Sequence, residues 1–494
     1  MPRLARWLLP LLLVLLITRL WLMPLASSFW LDETATVFVA RHGSNHPSLA
    51  AVAPQAWRSW YYSIIHAWGT LFGFSEVATR IPSVLAMLAS LPLIARVSAR
   101  LIHPESSWFA VFACFALPGL NYQAANARPY ALGMCLFAAG LLFLIRWLDT
   151  GAWPDALLFV ACAASVLYVH LLFWPSGLVF PLYAVTRIAT GKTPVGRTRA
   201  ALTFALWAVA LAPVSVQTFS LLREAQEHVI VRPPSLVQFL RSLQLPLILA
   251  CAAGAWIASR VWHWKPARFA LTAPAILLIA GWWLCQPVLL FCFSWLSGES
   301  VFVGRYLDLA LPGAALAATA VSARFIPSGS WRPLSAALAV GALLLGAQWR
   351  QLWPRHHDSD WRAAAAAVNR AESGSTEIPV ISISPFIEAK PPVWTPAYPL
   401  PGFLYAHLSV YPIRGKVYLF PFENSPAAAS FAATLSSGVL LQSRRFLIYG
   451  WGPQVRYWHE WFAGRPQFAD WSERTLGPFA DVDVVEFDAP DRSR

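Results

Sequence analysis

The chain has 494 residues, 57% hydrophobic and only 12% charged, against roughly 25% charged residues in soluble domains, which excludes an ordinary soluble protein. Its net charge of +13 would suit a nucleic-acid partner. Most of the basic residues, however, lie in short loops between apolar runs, so the charge reads as membrane topology and no nucleic-acid partner is expected. All six cysteines, at 114, 135, 162, 251, 285 and 292, fall inside apolar segments. They supply neither a disulfide framework nor a zinc spacing.

In chain order, the basic start MPRLARW leads into an apolar run over residues 7–26, too long for a signal peptide and read as an uncleaved first span. Further spans are predicted at 81–97, 107–120, 130–147, 156–168, 171–185, 201–219, 243–256, 269–293, 306–321 and 334–349. That makes about eleven transmembrane helices. The 26 tryptophans and 30 phenylalanines suit the many interfacial belts such a chain needs. Arg3 and Arg6, Arg96 and Arg100, Arg146, the basic residues from Arg187 to Arg199, Arg260, Lys265 and Arg268, and Arg324 and Arg332 all fall on one side of this scheme. The positive-inside rule makes that side cytoplasmic. The N-terminus is then cytoplasmic and the C-terminus extracytoplasmic. The segments FWLDETATVFV, QAANARPY, YVHLLFW, REAQEHVIVRPPS and SGESVFVGRY share the outer face.

After residue 349 prolines, glycines and charges rise and no further run is long enough to span. The β-rich runs IPVISIS, KVYLF, RFLIY and VDVVEF alternate with the helix-like DWRAAAAAVNRA, PAAASFAATLSS and PQVRYWHEWF. This alternation predicts a soluble extracytoplasmic α/β domain over 350–494, beside a membrane domain over 1–349. It has no Gly-rich phosphate loop after a strand, and is read as a binding or scaffolding domain.

Candidate chemistry lies on the outer face. Asp32 and Glu33 follow the first span directly; they either mark a helix end or hold a catalytic base at the membrane surface. Adjacent residues point in different directions, so one carboxylate can face a cavity while the other orients a neighbour. The stretch TATVFVARHG behind them reads as a short amphipathic helix along the interface. Arg128 and Tyr130 open one span, and Arg305 and Tyr306 repeat the arrangement at another. Each arginine is either an interfacial anchor or a bidentate donor to a phosphate. Two such sites on one face favour an anionic lipid head group. His66 and His170, both on apolar aromatic stretches, are either packed histidines or ligands of a substrate hydroxyl or phosphate.

The ordered series FWLDETATVFV, HAWGTLFGFSEVATRIPSVLAMLASLPLIARVSARL, ARPYALGMCLFAAGLLFLIR, VFVGRYLDLALPGAAL and DWRAAAAAV resembles the bacterial GT-C glycosyltransferases. The resemblance is to the branch of protein O-mannosyltransferases, lipid A aminoarabinose transferase and lipopolysaccharide galacturonosyltransferases. It implies a polytopic α-helical membrane protein with interfacial helices in the first outer loop and a C-terminal extracytoplasmic α/β domain. It further implies an inverting enzyme of the bacterial inner membrane, taking its sugar from a polyprenyl-phosphate donor and passing it to a hydroxyl acceptor in the cell envelope. Asp32 matches the catalytic base of such enzymes, and no cofactor or metal is required. Two departures stand out. Asn126 occupies a position where relatives often carry an acid, which leaves more of the acidic role to Glu33. Trp57, Arg58 and Ser59 replace a His-Pro-Pro stretch. The alternatives are a transporter or flippase of lipid-linked intermediates, or an inactive glycan-binding relative. A transporter would place ionisable residues near mid-membrane at repeat interfaces. Here, apart from Arg19 near the end of the first span, the charges gather at the outer ends, and no internal repeat is evident.

Overall fold

The computed structural model describes residues 4–43, 46–52, 59–228, 232–264, 271–298, 300–372, 377–386, 402–422 and 424–490. Arg3, Trp57, Arg58, Lys265, Arg268 and part of the REAQEHVIVRPPS segment lie outside the described residues. The chain divides into two compact units, one comprising Met1–Leu25, Ser59–Tyr61 and Arg80–Pro354, the other Ala26–Arg58, Tyr62–Thr79 and Arg355–Arg494.

The first unit is helical. Among the described residues six helices are long and apolar enough to cross a membrane: Trp7–Ala26, Glu76–Leu101, Tyr130–Thr150, Leu171–Ala189, Arg197–Val216 and Ala273–Ser297. The pair Leu236–Ser242 and Leu245–Val261, bent by 46°, makes a seventh if it is one span. Trp153–Val169 and Trp331–Gly346 are shorter apolar helices. Leucines and valines such as Leu11, Val14, Val209, Leu249 and Leu345 remain exposed on these helices, as surfaces solvated by lipid require.

Two of the expected spans are broken. The run 107–120 forms a helix over Ser107–Phe115, and a second, Pro118–Ala124, starts after an extended Leu117. Pro118 pushes the residue before it out of the helical region, which sets the break. The run 306–321 begins with Gly304–Leu307 and a tight turn over Asp308–Ala310, and only then continues as Leu311–Ser322. This last helix is rich in Ala and Gly and approaches Ala273–Ser297 closely: a Cβ on Gly313 would lie 2.5 Å from the backbone nitrogen of Trp283. Small residues at helix contacts substitute backbone proximity for the hydrophobic drive that lipid removes. The indole of Trp282 adds a hydrogen bond to Leu309 O, 2.9 Å away.

Two arginines tie the end of the first span in place. Arg19 donates to the carbonyls of Ala347, Gln348, Gln351 and Leu352 at 2.7 to 3.2 Å. Arg80, fully buried, donates to Leu25 O at 2.8 Å. A buried charge is tolerated only where its donors are met in this way.

The second unit carries a five-stranded sheet of β1 (Pro379–Ile383), β2 (Lys416–Phe420), β3 (Arg445–Trp451), β4 (Ser472–Phe479) and β5 (Val482–Asp488), in the order β2-β1-β3-β5-β4. β1 runs parallel to β2 and β3, while β5 is antiparallel to β3 and β4. Strand alternation sorts the side chains. Ile381, Ile383, Phe446, Ile448, Val485 and Phe487 share a core with Val455, Trp458 and Phe462 of helix Gly452–Ala463. Trp361, on helix Trp361–Ala371, packs instead on Tyr449 and His407, with ring centroids 5.7 and 4.7 Å apart.

The segment after the first span also belongs to this unit. Tyr411 Oη accepts a hydrogen bond from Phe29 N at 2.9 Å and donates to Glu76 at 2.8 Å. Arg362 reaches Ala26 O and Glu76 at 3.0 and 3.1 Å. Helix Leu31–His42 is buried continuously from Glu33 to Ala40. It is therefore a packed helix, and the one-faced amphipathic segment expected over TATVFVARHG is not found; Phe38 and Val39 pack with Leu49 and Ala406.

Candidate active site

Three stretches of the first unit converge: the turn from Asn126 to Tyr130, His170, and the short helix carrying Arg305 and Tyr306. Tyr130 starts helix Tyr130–Thr150 and is fully buried. Its ring lies 5.6 Å from that of His170 and 6.5 Å from that of Tyr306. His170 lies 5.4 Å from Tyr306 and 5.0 Å from Phe173. Gly133 admits this arrangement, since a Cβ there would come 2.3 Å from the Phe173 ring. The Arg305 guanidinium sits 5.4 Å from the centre of the Tyr306 ring.

His170 reads out the local field. Burial, then the Arg128 and Arg305 guanidiniums, push it down to about 3. Both arginines are therefore close enough to oppose a third positive charge, and the ring stays neutral at neutral pH. Its Nδ1 is buried without a hydrogen-bond partner, although the residue keeps part of its surface accessible. The arrangement is a positive, aromatic wall suited to an anion.

The support for this wall was not anticipated from the sequence. Gln286, buried on helix Ala273–Ser297, donates to Leu172 O at 2.6 Å and to Tyr306 O at 2.9 Å and accepts from Ser176 at 2.9 Å. One amide thus holds the His170 turn and the Tyr306 turn together. Asn126, fully buried, donates to Gln123 at 2.8 Å, and Gln123 donates to Asp308 at 2.6 Å. The position that departs from the family pattern is therefore linked through Gln123 to a carboxylate three residues beyond Arg305. The available signal was a lone Gln and a lone Asp within apolar runs, where polar groups are costly unless used.

The acidic pair lies in the second unit, in the first turn of helix Leu31–His42. Carboxylates are favoured there by the helix dipole and by unbonded backbone N–H groups. The two diverge, as adjacent residues must. Asp32 is partly exposed. Glu33 is fully buried; its Oε2 accepts from Trp30 N at 3.3 Å, and its Oε1 lies 4.0 Å from Nε2 of buried His356. The neighbouring His357 stacks on Trp30 with centroids 5.3 Å apart. Sequence reading missed this His-His pair because it sits beyond the last span, in a stretch without periodicity.

His66 plays another part. On helix Trp60–Phe72 it is exposed, and its Nδ1 meets Ala40 O at 2.7 Å, which fastens that helix to Leu31–His42. This is the packed, structural alternative that the sequence left open for His66. Among the described residues, no group of three or more His, Cys, Asp or Glu side chains is gathered closely enough to hold a metal ion.

The fold and the converging segments define a multi-pass membrane protein with the fold of the GT-C glycosyltransferases. The chain is similar to ArnT, the aminoarabinose transferase, from Cupriavidus metallidurans. The structure of that protein bound to undecaprenyl phosphate matches with a TM-score of 0.56 and 12% identity, over 96% of this chain and 97% of that one. Its apo state matches with a TM-score of 0.57 and 13% identity over the same shares. The arabinosyltransferase EmbB from Mycobacterium smegmatis matches with a TM-score of 0.40 and 16% identity, over 62% of this chain and 30% of that one. No family model matches the sequence, and no curated protein matches it.

Proposed function

We propose that the protein is an inverting glycosyltransferase of the bacterial inner membrane. It moves a sugar from a polyprenyl-phosphate donor to a hydroxyl acceptor of the cell envelope, whether lipid, glycan or protein. The observation that carries this reading is the meeting of Arg128, Tyr130, Arg305 and Tyr306 around a neutral His170. Two fixed guanidiniums beside aromatic rings suit the phosphate of a lipid-linked donor. The fold shared with ArnT, a protein solved with undecaprenyl phosphate, supports the same reading.

In this reaction Asp32 takes the proton of the acceptor hydroxyl. The acceptor oxygen forms a bond to the anomeric carbon as the bond from that carbon to the phosphate oxygen breaks. The electron pair leaves with the phosphate. One displacement inverts the anomeric centre and releases polyprenyl phosphate, with the proton left on Asp32. Arg128 and Arg305 stabilise the charge that grows on the departing phosphate, so no acid catalyst is needed at the leaving group. Glu33 orients the helix start that carries Asp32. This displacement balances without drawing on a metal or cofactor. The reaction belongs at the outer face, with the N-terminus cytoplasmic and the unit containing residues 355–494 extracytoplasmic. An odd number of crossings, such as the eleven expected from the sequence, would give that orientation.

The test is Asp32→Asn in purified protein, with a polyprenyl-phosphate sugar as donor. Transfer is lost and donor binding is retained. Transfer at the wild-type rate would overturn the base assignment.

A further inference from the structure

The second unit contains a groove of about 820 Å³ between helix Trp361–Ala371 and the edge strand β4. Its walls carry three arginines, Arg370, Arg445 and Arg474, and among its lining residues there is no carboxylate. Two of these arginines pair with Glu486, buried at 2% exposure on β5. Arg474 donates to Glu486 Oε2 through both Nε and Nη2, at 2.8 and 2.5 Å. Arg445 donates to Oε1 from the other side, at 2.5 Å through Nε, and its Nη1 reaches Ala371 O at 3.2 Å.

One bidentate arginine is enough to compensate a buried carboxylate. Here two guanidiniums share Glu486, and Arg370 adds a third to the same groove. The lining therefore gathers three guanidiniums around one buried carboxylate. Asp488, the cross-strand partner of Arg445 in the β3-β5 register, is exposed and does not line the groove. The Arg474 side chain is 66% exposed even though it is anchored at Glu486, so its outer guanidinium edge is presented and held at once. A guanidinium already fixed by one carboxylate loses little conformational entropy on binding a second anion. Pro478 and Phe479 add apolar residues to the lining. Fixed cations beside an apolar surface match two features of a charged sugar: its carboxylate or phosphate and its C–H face. The volume falls in the range of small-molecule clefts.

We propose that this groove binds an anionic saccharide, a sugar chain carrying carboxylate or phosphate groups. The C-terminal unit thereby holds acidic glycan at a site separate in composition from the Asp32 helix and from the Arg-Tyr cluster.

The experiment is calorimetric titration of the full-length protein in detergent with trigalacturonate. Maltotriose serves as the uncharged control and soluble dihexanoylphosphatidylglycerol as the anionic lipid control. Trigalacturonate binds, more weakly as salt is raised, and maltotriose binds at least about tenfold more weakly. Arg474→Gln lowers trigalacturonate affinity by roughly tenfold. Because that change also uncovers Glu486, Arg370→Gln is the second variant; it leaves both Glu486 pairs in place and lowers affinity by a similar factor. Equal affinity for the neutral trisaccharide, unchanged affinity in Arg370→Gln, or binding of the anionic lipid in preference to the saccharide would each overturn the proposal.

Discussion

Glu33 faces His356 across 4.0 Å, with both side chains buried. A residue next to the candidate base is thus held by a group more than three hundred positions later in the chain. His356→Ala leaves a buried carboxylate without its neighbour, a change that costs several kcal/mol where the pair is charged. The expected result is a lower unfolding temperature and turnover reduced by roughly tenfold or more, each tenfold corresponding to about 1.4 kcal/mol of lost transition-state alignment. Donor affinity is unchanged, and His356→Gln restores part of the turnover. Steady-state kinetics with the donor varied separates these terms; a raised donor KM with normal turnover would reject the positioning role.

The two arginines around His170 make a separate prediction. Arg305→Ala and Arg128→Ala each raise the donor Kd by roughly tenfold to a hundredfold, the range of a charge-assisted hydrogen bond. Acceptor KM is little affected. Arg305→Lys recovers only part of the loss, because an ammonium cannot match the fork of a phosphate. Direct measurement of donor binding decides, and an unchanged donor affinity in both alanine variants would remove the phosphate assignment.

Gly313 tests the packing of the membrane unit. A methyl there meets the backbone of Trp282 and Trp283, and backbone cannot step aside as a flexible side chain can. Gly313→Ala is expected to cost about 1 to 3 kcal/mol. This is read as a drop in the unfolding temperature of the detergent-solubilised protein; no change would mean that the two helices can separate freely.

His407 gives the second unit a pH dependence. Burial pushes it down to about 3, and its Nδ1 is buried without a partner, among Trp361, Tyr449 and Tyr405. In the unfolded chain it titrates near 6.5. Above that value both states are neutral and the unit has its full stability. As pH falls from about 6.5 toward 3 the unfolded state gains a proton that the folded state refuses, so stability is lost by up to roughly 1.4 kcal/mol per pH unit. His407→Gln therefore flattens the decline of unfolding temperature between these limits. A decline as steep as in the parent protein would show that other groups cause it.

How much of this was readable in advance follows from which signals are local. Each apolar run did become helix, because hydropathy is a property of the segment itself. The break at Leu117 was also announced locally, by Pro118, but an apolar average over 107–120 hides a single residue. Arg128, Tyr130, Arg305 and Tyr306 were legible because the same two residue types open two helices that topology assigns to one face. Gln286, Gln123 and His356 were not, since each has a partner more than a hundred residues away. The missed strand β4 has a mostly exposed pattern and a Gly-Pro step. An edge strand carries less of the apolar alternation by which strands are recognised.

The Arg19 contacts bear on how the chain is made. Its guanidinium ends up on four carbonyls between residues 347 and 352, which emerge from the ribosome some three hundred residues after the arginine itself. Throughout that interval the first helix carries a cation near its end with none of these acceptors available. Inserting such a group costs about 2.5 to 3.5 kcal/mol at a helix centre and less toward the end. The first segment to enter the bilayer is thus among the last to be completed, and its final bonds form only when the last apolar helix arrives.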